Sequence, residues 1–137
     1  MKKFSKMSLE IQEGKKPTSY IKFSKARNKA EAALTIKEFK DGDFYVTYMP
    51  ELDMSGYGNT SQEARDMLKT SLDFYFDNLS LLSPKKLIIE LAKHNFKPQK
   101  FARKNYDYTG PYIDDKGFLQ KFDLPIETEV QTQVLTV

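Results

Sequence analysis

Residues 34–79, LTIKEFKDGDFYVTYMPELDMSGYGNTSQEARDMLKTSLDFYFDNL, read as strand, hairpin, strand, short strand and one long helix. Leu34 and Ile36 alternate with Thr35 and Lys37, and Phe44, Val46 and Tyr48 alternate with Tyr45 and Thr47, on either side of Asp41-Gly42. Period-two alternation around an Asp-Gly dipeptide predicts a β-hairpin, because strand side chains point to opposite faces in turn and glycine supplies positive φ. Pro50 has no N–H for a ladder, so the second strand should end near Met49, with Glu51-Leu52-Asp53 turning the chain into a third strand, Met54 to Gly58. Gly56 and Gly58 around Tyr57 point to an edge position, with close backbone approach or a bulge.

Thr60-Ser61-Gln62-Glu63 is a capping box: the Thr60 hydroxyl takes the Glu63 amide and the Glu63 carboxylate reaches back to the Thr60 amide. Beyond it Ala64, Met67, Leu68, Leu72, Tyr75, Phe76 and Leu79 recur at three and four, while Arg65, Asp66, Lys69, Asp73 and Asp77 fall on the other side. One face of this helix should pack on the sheet. Ser83-Pro84 opens a second helix, with Leu87, Ile88, Leu91 and Ala92 as its apolar stripe and Asn95-Phe96 and Pro98 as its stop.

Pro50-Glu51-Leu52, then Gly58-Asn59-Thr60 and Glu63-Ala64 opening an amphipathic helix, after a strand carrying Tyr45-Val46, resemble the HicB-like antitoxin family. The resemblance covers residues 32–80, about a third of the chain. Asp53-Met54-Ser55 stands where that family commonly has Pro-Gly-Cys, and the link to Gly58 is about one residue shorter. The resemblance implies an α+β fold, partly RNase H-like: an antiparallel sheet with one long and one shorter helix on a face. It also implies a non-catalytic protein that binds and masks a protein toxin, with Tyr45, Tyr48, Glu51, Asp53 and Tyr57 as candidate contacts. The family's C-terminal DNA-binding module has no counterpart here, since the second helix is followed by an irregular stretch and an extended tail.

Catalytic chemistry finds little footing. An RNase H-type site needs several acids converging on a divalent metal, one of them in the first strand, and Thr35 and Lys37 occupy that strand's polar side. Asp41, Asp43, Glu51 and Asp53 sit where turn formers sit. His94 is the single histidine, placed where an imidazolium suits a helix C-terminus. No metal, cofactor or enzymatic activity is expected.

The 137 residues suffice for one core, with ten Phe and eight Tyr to build it, and the absence of cysteine removes disulfide and thiolate chemistry. No leader-like or membrane-length apolar run is present, so a cytoplasmic location is expected. The net charge of +3 conceals opposed blocks. Residues 1–30 carry nine Lys/Arg against two acids, 31–83 four against ten, 84–105 seven against one, and 106–137 two against six. Basic flanks can track phosphates, meet an acidic partner, or lie over the chain's own acidic part. Lys97, Lys100, Arg103 and Lys104, interleaved with Phe96, Phe101 and Tyr106, form the alternative site, a surface for single-stranded nucleic acid. The competing reading is a solvated loop with its aromatics in the core.

Three segments result. Residues 1–30 form a basic segment whose runs at Met7–Gln12 and Tyr20–Phe23 offer a strand, the alternative being a mobile terminus. Residues 31–100 are the HicB-like core. Residues 101–137 comprise an irregular aromatic and basic stretch to Gly117 and a tail, in the same domain or acting as an arm. In the tail Phe122, Leu124, Ile126, Thr128, Val130, Thr132 and Val134 hold one parity, which predicts a strand too long for one subunit's sheet. Ile126, Val130 and Val134 would then join subunits in a homo-oligomer.

Overall fold

A computed structural model describes residues 8–11, 19–24 and 29–137. Expectations resting on Met7, Gln12, Gly14–Pro17 and Lys25–Asn28 lie outside the described residues. The elements in order are β1 (Ser8–Ile11), β2 (Tyr20–Phe23), β3 (Ala30–Asp41), β4 (Phe44–Met49), β5 (Met54–Gly58), α1 (Ser61–Ser80), α2 (Pro84–Ala92), β6 (Phe96–Pro98), β7 (Asn105–Tyr108), α3 (Asp115–Lys121) and β8 (Gln131–Thr136). The fold is α+β, and every strand pair among these elements is antiparallel.

The twelve-residue β3 is the axis. One edge pairs with β8 over Ala33–Glu38, and β8 in turn pairs with β1. The other edge is shared: β2 takes Ala30–Ala33 and leads on to β7 and β6, while β4 takes Lys37–Asp41 and leads on to β5. The β3–β4 hairpin closes on Gly42-Asp43, with positive φ at Gly42 only (62°), the type II′ pattern.

α1 lays Ala64, Leu68, Leu72, Phe76 and Leu79 on one sheet face, over Leu34, Ile36 and Met49. It comes unusually close to β5. A Cβ on Gly56 would stand 2.1 Å from the Ala64 carbonyl oxygen and 2.6 Å from the Leu68 nitrogen. Close approach therefore explains this glycine; the β4–β5 register is continuous and holds no bulge. At the helix start the Glu63 N–H donates to Thr60 Oγ1 (3.1 Å), but the Glu63 carboxylate takes the Asn59 N–H (3.2 Å) rather than that of Thr60. Arg65, expected on the solvent side, instead reaches the buried Glu38 through Nε (2.6 Å) and Nη2 (2.7 Å) and ties α1 to the sheet.

Ser83 caps α2 as its sequence implies, but only Leu87 and Leu91 are buried; Ile88, Ile89 and Ala92 are exposed. Asn95 ends the helix region with φ 64°, a left-handed position asparagine tolerates. Both N-terminal runs form strands, β1 and β2.

Three expectations for residues 101–137 are corrected. The stretch read as irregular contains β7, which completes a hairpin with β6, and α3, whose N-cap Asp114 accepts the Gly117 N–H at 2.8 Å. The helices are therefore not confined to one face: Phe118 and Leu119 of α3 are buried on the side of the sheet opposite α1, with Phe118 against Phe39 and Tyr48. The long tail strand is only β8, since Asp123 adopts φ 53° and Thr128 closes a turn on Pro125. β8 is paired on both edges within its own chain. Ile126 is 79% exposed, Val130 is half-buried and Val134 is buried in β8, so the three share no strand face and the tail is no arm. Among the described residues no helix is long and apolar enough to cross a membrane.

Candidate functional site

Splitting one edge of β3 between β2 and β4 leaves a gap at Thr35, whose N–H would be orphaned inside the protein. The Glu51 carboxylate fills the gap: both oxygens lie 3.1 Å from the Thr35 nitrogen, and Oε2 also accepts the Ser19 hydroxyl. Glu51 is buried, and burial holds its carboxyl above the ordinary range, although the bonds from Ser19 and Thr35 pull it down. The expected partner contact at Glu51 is thus corrected: this carboxylate is an internal bridge across the sheet.

The other four residues expected to meet a partner divide. Tyr45 is half-buried on the α1 side, with the Lys40 ammonium 5.3 Å over its ring. Tyr48 lies on the opposite face, packs on Phe118 and Phe122, and donates to the exposed Asp53 at 2.7 Å. Its phenol is pushed up, first by burial and then by that bond. Tyr57 is 57% exposed and meets Phe44, 51% exposed, edge to face at 6.0 Å. Tyr48, Asp53 and Tyr57 therefore share the outer side of the β4–β5 pair, and Tyr45 does not.

β5 is an edge strand. Its sequence, Met-Ser-Gly-Tyr-Gly, carries no charge, no proline and no bulge, and the cover it has is the Met67 side chain of α1. Among the described residues the Tyr57 N–H meets no backbone oxygen on this edge; its acceptor is the Met67 thioether sulfur at 3.5 Å, a weak one. Phe44, Val46, Ser55, Gly56 and Tyr57 border a shallow cleft of about 260 Å³ beside it. Phe44 and Met67 were not legible as site residues, because each sits at an apolar position of its element's periodicity. The unguarded composition of β5 was the available signal.

The basic residues also come together. Lys97 lies on β6, and Lys100, Arg103 and Lys104 lie on the β6–β7 loop; all four are exposed. Phe96 and Tyr106 are in the core, whereas Phe101, at 92% exposure, stands at the loop among the cations. The Lys104 carbonyl accepts the Phe23 N–H at 2.9 Å, which ties this loop to the end of β2. Among the described residues no ion pair joins these cations to the acidic part; the pairs present are those of Lys37, Arg65, Lys69, Lys93 and His94. His94 lies 3.6 Å from Glu90 and edge-on to Tyr75, a packing position.

Comparison with protein-family models, with curated proteins and with solved structures finds no match to this chain.

Proposed function

We propose that this chain is a non-catalytic interaction protein of the HicB-like antitoxin type, which binds and masks a protein partner by accepting an extended segment of that partner on the β5 edge. The observation that carries this reading is the Tyr57 N–H, held on an edge without charge, proline or bulge by a thioether instead of a carbonyl. An added strand would replace the sulfur with a backbone oxygen, and Phe44 and Tyr57 would receive its side chains. The order β3, β4, β5, α1 accords with the residues that resemble the family. Pairing of β5 with the β5 of a second copy would give the expected homo-oligomer by a route independent of the tail.

The test is co-expression with the product of the adjacent reading frame, followed by measurement of mass in solution. The expected result is a stoichiometric complex lost in Tyr57→Pro, which removes the outward N–H, and retained in Lys100→Glu. Absence of any such complex, together with retention of single-stranded oligonucleotide that falls with salt and is lost in Lys100→Glu, would favour the second reading, a nucleic-acid-binding regulator. That reading rests on Phe101, exposed amid Lys97, Lys100, Arg103 and Lys104, as a stacking platform for single strands.

A further inference from the structure

α1 buries Ala64, Leu68, Leu72, Phe76 and Leu79, and the opposite face of such a helix is ordinarily polar and charged. Here it is neither. From Met67 to Leu81 the exposed residues are Met67, Thr70, Ser71, Phe74, Asn78 and Leu81, and none of them carries a charge. The three large apolar ones are 42%, 67% and 83% exposed in chain order. They recur at seven residues, a spacing that drifts only about 20° per step around a helix, so they form one line. At 1.5 Å per residue that line is about 21 Å long.

The charges lie beside the line and at its two ends. Lys69 and Asp73, on the flank, pair with each other at 3.1 Å. The exposed charges just before Met67 are Glu63 and Asp66, and those just after Leu81 are Lys85 and Lys86 at the start of α2. The face therefore runs from acid to base along an apolar line centred on Phe74, with Met67 seven residues before it and Leu81 seven after. Such a face is complementary to itself turned end for end. On a twofold axis through Phe74, Met67 meets Leu81 of the second copy, and Glu63 and Asp66 approach Lys85 and Lys86 of the second copy. A parallel pair would set acid on acid and base on base.

We propose that two copies of this chain associate through the outer face of α1, antiparallel, with Phe74 of each copy on the twofold axis. Thr70, Ser71 and Asn78 are short enough to let the helices approach to the usual spacing of about 8–10 Å. Three large side chains per copy make a small interface, so the dimer dissociates on dilution. This surface is distinct from the outer side of the β4–β5 pair and meets the β5 edge at Met67, whose sulfur takes the Tyr57 N–H.

The experiment measures the mass of the full chain by sedimentation equilibrium across a dilution series. The expected result is a concentration-dependent passage from 15.9 kDa to twice that mass. Phe74→Glu and Phe74→Lys each put like charges together on the axis and should raise the dissociation constant at least about thirty-fold, the scale of a central aromatic contact. Mixed in equal amounts, the two variants should form a heterodimer, because position 74 faces position 74. Phe74 is exposed, so both variants should keep the circular dichroism of the wild type. Tyr57→Pro, which would break a dimer built on the β5 edge, should dimerise as the wild type does. A wild type monomeric throughout the series, a dimer that survives Phe74→Glu, a mixture of the two variants that stays monomeric, or dimerisation lost in a folded Tyr57→Pro would overturn the proposal.

Discussion

Gly56→Ala should be among the most damaging single-methyl changes in this protein. The added Cβ would lie 2.1 Å from the Ala64 oxygen and 2.6 Å from the Leu68 nitrogen, both helix backbone, so no side chain can rotate away. Restoring ordinary contact requires α1 to retreat from β5 by about 1 Å, and a gap of that size forfeits a quarter to a half of the dispersion energy across it. Ala64, Leu68 and Leu72 would all feel the retreat. Overpacking costs about 1–3 kcal/mol, and a helix-backbone obstacle places this case near 3. With a urea slope of about 2 kcal/mol per molar, the unfolding midpoint should fall by about 1.5 M. Gly42→Ala is the control: nothing lies within 4 Å, but φ is +62°, so it should cost about 1 kcal/mol through the left-handed backbone alone. A midpoint for Gly56→Ala no lower than that of Gly42→Ala would refute the packing argument.

Thr60→Ala removes the hydroxyl that accepts the Glu63 N–H and should cost about 1 kcal/mol by urea unfolding. Truncation after Val130 removes β8, which pairs with β1 and β3, so circular dichroism should show an unfolded chain; a folded, cooperative product would show that β8 is dispensable. The Glu51 carboxyl is raised above its ordinary 4.5 in the folded state, so the folded protein holds that proton more tightly than the unfolded chain. Its contribution is therefore full below 4.5 and declines as pH rises through the folded value. Wild-type stability minus that of Glu51→Gln should fall across that window, and a difference that rises with pH would contradict the assignment.

The part of the fold legible in the sequence is the part whose signals are local. Alternation around Gly42, the stop at Pro50 and the Thr60 cap place β3, β4, β5 and α1, because each residue states its own backbone preference. The tail shows the limit of the same signal. Parity continues from Phe122 to Val134, yet Asp123 turns left-handed and Pro125 opens a turn, since a strand also needs a partner in register. α3 was hidden because Asp114-Asp115-Lys116-Gly117 reads as a turn and is in fact a capped helix start. Burial of Lys37 and Glu51 depends on α3 and on the split edge of β3, contacts far apart in sequence. Asp53 was visible as a turn former after Pro50 and Tyr57 as the residue between two glycines of an edge strand, whereas the thioether on the Tyr57 amide is a tertiary fact.

Amide hydrogen exchange at Tyr57 tests the central claim most directly, because this N–H is the one that a partner strand would engage. In the isolated chain it should exchange fast for a strand residue, and in the complex with the adjacent gene product it should gain about 100-fold protection while Lys100–Lys104 remain unchanged. A complex that forms without slowing the Tyr57 amide would contradict binding at the β5 edge.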